Sequence, residues 1–206
     1  MPSGVSEEVH ACCTSGDAEG LAELCAEWEG NPVLNVPDED SWSPAVWACK
    51  KGRLECLQLL IANWENEFDS KSNNKTAVLK YLDAAMDSSG MTLLMFAAIA
   101  DACEVIRLLV FKCAKKDTVN EDGFTAHLWA AKCGNLRALQ LLEELHCNKA
   151  ALTRGGLSAL ECARVGSARR GTGKKGKDET VAFLAIRQAE LDAAIAQAAA
   201  MQEIVE

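Results

Sequence analysis

Thr92-Leu93-Leu94-Met95-Phe96-Ala97-Ala98-Ile99-Ala100-Asp101 is answered 33 residues later by Thr125-Ala126-His127-Leu128-Trp129-Ala130-Ala131-Lys132-Cys133-Gly134. A third segment, Ser43-Pro44-Ala45-Val46-Trp47-Ala48-Cys49-Lys50-Lys51-Gly52, aligns with both without gaps. Each runs on into a leucine-rich stretch: LECLQLLI at 54–61, CEVIRLLV at 103–110 and LRALQLLE at 136–143. A fourth copy opens at Ser158 as SALECARVG, again 33 residues after Thr125. A degenerate first copy runs from Val9 to Asp17 and continues as LAELCAEW at 21–28.

The physics of one copy explains why it recurs. A Ser or Thr closes a turn at the place where a helix needs an N-cap. A short helix follows, then a break, then a second helix with apolar residues at helical spacing, as in Leu57, Leu60 and Ile61 or Ile106, Leu109 and Val110. Helices this short are marginal alone. They become stable when neighbouring copies cover their apolar sides. Ala48, Ala97, Ala130 and Ala163 keep the helix-to-helix approach close.

This period, with its T-P-L-H-x-A-A-x-x-G frame, resembles the ankyrin repeat. Asp87-Ser88-Ser89-Gly90-Met91-Thr92 matches the family's D-x-x-G-x-T turn, and Asn120–Thr125 and Asp38–Ser43 nearly match it. The Gly of that turn permits positive φ. The resemblance implies an all-α, ankyrin-repeat helical solenoid of about five repeats, the first and last degenerate, with β-hairpin-like turns and an extended C-terminal helix. It covers residues 5–185, leaving 186–206 as a helical extension. Only Ser43 is followed by Pro, only His10 holds the consensus His place, and Asp101 replaces a Gly, which should weaken the loop hydrogen bonding.

Two insertions interrupt the period. Ser43 to Thr92 spans 49 residues, 16 more than the repeat, so an insertion falls at about 64–86. Its first part, from Asn63, is polar and reads as a loop; from Thr76, TAVLKYLDAAM reads as a helix with Thr76 as N-cap. The second insertion, SARRGTGKKGK at 167–177, reads as a mobile Gly-rich basic loop. Its Gly171–Lys177 mimics a phosphate-binding GxxxxGK, but Asp178 stands where Ser or Thr would hold Mg²⁺ and helices flank it, so nucleotide binding is not expected. The terminal stretch 178–206 should form one long helix with acids at its start, Leu191, Ile195, Ala198 and Val205 making a thin apolar stripe.

Composition narrows the function. Apolar residues are 49% of 206, enough for a core. The net charge is −9, which disfavours general binding to nucleic acid or anionic membranes. Six bases lie within 164–177 with no acid, so nucleic acid or an acidic surface is approached only through Arg169, Arg170, Lys174, Lys175 and Lys177. No signal-peptide pattern opens the chain and no apolar run approaches a membrane span, so ten free thiols in a cytoplasmic or other reducing intracellular compartment are expected.

Chemistry-bearing residues are scarce. No C-x-x-C supports a zinc site, and no metal or cofactor is expected. Cys12, Cys13, Cys49 and Cys162 fall in core columns. His10/Cys12 and His146/Cys147 lack a third group to orient a nucleophile, so no enzyme is expected.

Binding residues come from the family pattern. The resemblance implies a non-catalytic protein-interaction scaffold, a free adaptor or a subunit of a multi-subunit assembly, which grips its partner by hairpin tips and a concave groove. The tips fall at Glu39, Asp40 and Trp42, at Ser88, Ser89 and Met91, and at Glu121, Asp122 and Phe124. Trp42, Met91 and Phe124 are expected as an exposed apolar row. Lys50, Lys51, Ile99, Lys132 and Cys133 should line the groove behind, with Trp47, Phe96 and Trp129 sharing one column that serves as anchor or as core.

Overall fold

The computed structural model describes residues 3–27, 36–39, 41–71, 82–83, 89–166 and 173–205. Among them ten helices form five pairs and no strand occurs: α1 (Ser3–Ser15) with α2 (Ala18–Glu27), α3 (Pro44–Lys51) with α4 (Leu54–Lys71), α5 (Leu93–Ile99) with α6 (Cys103–Phe111), α7 (Ala126–Cys133) with α8 (Leu136–Glu144), and α9 (Ala159–Val165) with α10 (Gly173–Val205). The first helices touch in the order α1, α3, α5, α7, α9, and the second helices in the order α2, α4, α6, α8, α10. The result is two parallel rows of helices whose apolar residues meet between the rows. Leu57, Leu60, Ile61, Leu93, Met95, Ile106, Leu109, Leu139 and Leu142 are sealed there.

Each pair is started and stopped by local chemistry. Thr92, Thr125 and Ser158 take extended backbone, and their hydroxyls accept from Met95, Leu128 and Glu161 N–H. Ser158 and Glu161 complete a reciprocal capping box, which holds the Glu161 carboxyl below its usual range. Pro44 occupies the first turn of α3, where its missing N–H and fixed φ suit a helix start. The first helices of pairs one to four end at aligned left-handed residues: Gly16 (φ 90°), Gly52 (φ 67°), Asp101 (φ 56°) and Gly134 (φ 75°).

Asp101 does more than replace a glycine. Its Oδ1 accepts from Ala138 N–H at 2.9 Å, supplying a cap to the next repeat's α8, while Asn135 Nδ2 donates to Ala98 and Ile99 carbonyls at 2.8 and 2.9 Å. The expected weakening is therefore replaced by a stitch between repeats three and four. Asp tolerates the left-handed region because its short polar side chain bonds locally.

Three expectations are corrected. Residues 63–71 are not a loop: α4 continues through them, and Asn63 and Trp64 are buried. Trp64 follows Leu60 at i+4, so the core side of α4 gains one more turn. The segment 167–177 is not a loop throughout, since 173–177 already belong to α10. Consequently Asp178 and Glu179 sit beyond the first turn, which holds no acid. The helix expected from Thr76 falls largely outside the described residues; Leu82 is helical and fully buried, and Asp83 receives the Lys115 backbone N–H at 2.7 Å. Beyond Arg187, α10 leaves the stack: Leu191 and Ile195 are 53% and 59% exposed.

Candidate partner-binding groove

The turns before α3, α7 and α9 are each built by one side chain. Asp38 Oδ1 accepts from Trp42 N–H (2.9 Å) while Asp38 N–H donates to Trp42 C=O (3.0 Å). Asn120 Oδ1 does the same for Phe124 N–H (2.8 Å), and Thr153 Oγ1 for Leu157 N–H (3.0 Å). Each turn carries a left-handed residue at the matching place: Ser41 (φ 64°), Gly90 (77°), Gly123 (78°) and Gly156 (77°). Neighbouring tips bond to one another, Glu121 N–H to Ser89 C=O and Arg154 N–H to Asp122 C=O, at 3.0 and 2.8 Å. A Cβ on Gly123 would lie 2.5 Å from Arg154 N, so the tip stacking itself demands glycine there.

That stacking corrects the exposed apolar row. Met91 and Phe124 are buried at 5% and 9% exposure, and Trp42 is half-buried. Apolar side chains roofed by the adjoining tip belong to the core, because covering them removes apolar area from water. Cys133, expected to line the groove, is also buried. Phe96 is buried, whereas Trp47 and Trp129 are half-buried, so the aromatic column is core at its middle and partly open at both ends. Glu39, Glu121 and Asp122 are exposed at the tips; Asp40, Ser88, Arg169 and Arg170 lie outside the described residues.

Two clusters gather the remaining candidates. In repeat two, Trp42 and Trp47 meet edge to face with centroids 5.2 Å apart, and Trp42 lies 6.2 Å from Phe96. Lys50 Nζ sits 3.2 Å from the Trp42 centroid and 4.9 Å from that of Trp47; Lys51 reaches Trp47 at 5.8 Å. Trp47 Nε1 donates to Asp38 Oδ2 at 2.6 Å. In repeat four, Phe124 and Trp129 are 4.7 Å apart, with Lys132 Nζ 4.4 and 4.5 Å from their centroids. Between the clusters, repeat three offers Met91, Phe96 and Ile99 at the same positions, with no charge. All three lysines lie in the last turn of α3 or α7, where a cation complements the helix dipole.

Sequence reasoning missed a polar cluster at the other end. His127 and Glu143 are buried beside a cleft of about 640 Å³. Lys149 and Arg187 Nη2 come within 3.4 and 3.5 Å of Glu143, and His127 Nε2 lies 3.5 Å from it. The His127 contact, and then the Lys149 charge, hold the Glu143 carboxyl below its usual range against the opposing effect of burial. The i, i+3 or i+4 pattern gives no signal for it, since His127 and Glu143 sit on different helices. Lys177, placed by sequence in the basic loop, donates its ammonium to Gly166 C=O, and Lys174 and Lys175 stand in the first turn of α10.

Most of the thiols are packing groups, and Cys113 is exposed. All ten cysteines are free, and burial raises the pKa of Cys12, Cys13, Cys25, Cys49, Cys56, Cys103 and Cys162. Burial pushes Cys147, the neighbour of His146, up to about 11. A thiol held protonated is a poor nucleophile. Among the described residues no three His, Cys, Asp or Glu side chains group as metal ligands.

Paired helices advancing one pair per repeat, with bonded turn tips along one edge, define a helical-repeat solenoid. The family model described as "Ankyrin repeats (3 copies)" matches residues 9–114 and again 70–153, and the chain belongs to the ankyrin-repeat family. Ankyrin repeats generally serve protein–protein interaction and are typically non-catalytic. No helix among the described residues is long and apolar enough to cross a membrane.

Proposed function

We propose that this chain is a non-catalytic adaptor or assembly subunit that holds a protein partner in the groove behind its turn tips. Residues 5–185 form the repeat domain in this reading and 186–206 its extension. The observation that carries it is the pair of aromatic–lysine clusters at matching positions of repeats two and four, separated by Ile99. Half-buried indoles beside fixed cations are the composition of a binding hot spot. The stitching through Asp101 and Asn135 keeps the groove stiff before the partner arrives, so little ordering entropy is lost on binding.

Affinity purification of the full chain from its native cell tests this against two variants. Ile99→Arg places a cation in the middle of the groove. Phe111→Arg alters an 80% exposed residue on the second-helix row. The co-purifying protein should be lost with Ile99→Arg and kept with Phe111→Arg, with helical circular dichroism intact in both. The opposite pattern contradicts the groove.

A further inference from the structure

We infer that the cleft beside Glu143 is a second binding site, and that it takes an uncharged, mostly apolar small molecule carrying a hydroxyl or amide N–H donor. The repeat itself marks the two polar residues that set its chemistry. His127 stands where the other copies have Ala45, Leu94 and Leu160, and Glu143 where they have Ile61 and Val110. Both are buried, at 2% and 7% exposure, so each replaces an apolar residue at a cost in desolvation. Neither is fully satisfied. Among the described residues, His127 Nδ1, His127 Nε2 and Glu143 Oε2 have no hydrogen-bond partner, and Nε2 comes no nearer to Glu143 Oε1 than 3.5 Å. Stacking the repeats needs neither polar group, yet both line one cavity. A ligand that supplies the missing bonds removes the cost of leaving them unmade.

The cleft has the size and lining of a small-molecule site. Its volume of about 640 Å³ lies within the roughly 300–1,000 Å³ usual for such sites. Leu184, Arg187, Gln188 and Leu191 follow one another at i, i+3, i+4 and i+7, so one side of α10 forms a wall. Leu160 of α9 and Leu152 add apolar surface, and Leu152 and Leu191, 55% and 53% exposed, stand at the mouth. None of the aromatic or lysine residues of the groove clusters lines this cleft.

Charge decides the ligand class. Lys149 and Arg187 are spent on Glu143, at 3.4 and 3.5 Å, and Arg187 also meets Glu190 at 3.5 Å. An anion therefore finds no uncommitted cation, and a ligand cation finds the carboxylate already balanced. Acceptors, by contrast, are in excess. A carboxylate offers about four lone-pair sites. A neutral imidazole has one donor and one acceptor nitrogen; the carboxylate beside Nε2 favours the proton there and leaves Nδ1 to accept. An uncharged donor on an apolar body fits both.

The test is binding of four naphthalenes of similar size to the isotope-labelled full chain at neutral pH, followed by amide chemical shifts. 2-Naphthol should move the amides of Leu152, Leu160, Leu184 and Leu191. It should bind at least fivefold more tightly than 2-methoxynaphthalene, which lacks the donor, and than 2-naphthoate and 2-naphthylmethylamine, which are charged. His127→Leu restores the residue type of the neighbouring copies, so it should keep helical circular dichroism and remove most of the advantage over 2-methoxynaphthalene. Glu143→Gln releases Lys149 and Arg187 and should turn the preference towards 2-naphthoate. Should either core variant fail to fold, Leu152→Asp at the exposed mouth should still weaken 2-naphthol at least fivefold, while Ile99→Arg in the groove should leave it unchanged. Tighter binding of a charged probe by the unaltered chain, equal binding of 2-methoxynaphthalene, shifts confined to residues outside the cleft, or no binding up to the solubility of the probes would each overturn the inference. So would protection of the Leu152 and Leu191 amides by the co-purified partner, which would make the cleft a protein contact.

Discussion

Repeats two and four run the same frame with different chemistry. In repeat two, Asp38 builds the turn with one oxygen and receives the Trp47 indole N–H with the other. In repeat four, Asn120 builds the same turn with its one oxygen, but its second atom is an NH₂ group that donates towards Met91 Sδ at 3.7 Å. An amide NH₂ cannot accept, and Trp129 Nε1 is buried with no hydrogen-bond partner. The contrast recurs deeper in the stack. His127 and Glu143 of repeat four stand where repeat two has Ala45 and Ile61, both buried and apolar. Equal backbones thus carry unequal polar debts, and repeat four should be the weaker and more pH-sensitive of the two.

The largest expected effect separates the two tip rings. Phe124→Ala empties a buried site and should cost about 3–4 kcal/mol in urea unfolding. Trp42→Ala removes a half-buried ring and should cost clearly less; equal losses would break the distinction between a core tip and an open one. Next comes the exchange of turn residues. Asp38→Asn orphans the Trp47 indole and should destabilise by about 1–3 kcal/mol, whereas Asn120→Asp gives Trp129 an acceptor and should stabilise. Denaturation midpoints moving in the same direction for both would refute the explanation.

Acid sharpens the deeper contrast. The Glu143 carboxyl is ionised below its unfolded range, so its contribution is present above the unfolded pKa, near 4.5, and is lost as pH falls through the lower folded value. Hydrogen exchange followed down to pH 3 should open α7 and α8 before α3, and Glu143→Gln should flatten the acid limb of the stability profile. Uniform opening along the chain would contradict this. The smallest effect belongs to the lysines: Lys50→Ala and Lys132→Ala should each change folding stability by only about 0.5–1 kcal/mol, while weakening partner capture far more.

The repeat frame was legible because it is written in spacing. Thr92, Thr125 and Ser158 recur every 33 residues and each caps its helix, and the glycine places are left-handed where the frame requires it. Composition misled at 63–71, where Asn and Glu suggested a loop; Trp64, one turn past Leu60, was the readable sign that α4 goes on. Family position misled at Met91 and Phe124, because tips that bond to each other bury the residue behind them, and a single repeat read alone does not reveal its neighbour. The Glu143 cluster was hidden for the same reason: its members come from α7, α8, the loop at Lys149 and α10.

Lysine acylation footprinting of the full chain, free and with its co-purified partner, tests the groove most directly. The account predicts that Lys50, Lys51 and Lys132 become shielded while Lys115 and Lys149, 77% and 52% exposed in the free chain, label as before. Shielding of Lys115 and Lys149 with the three groove lysines still reactive would place the partner elsewhere and contradict it.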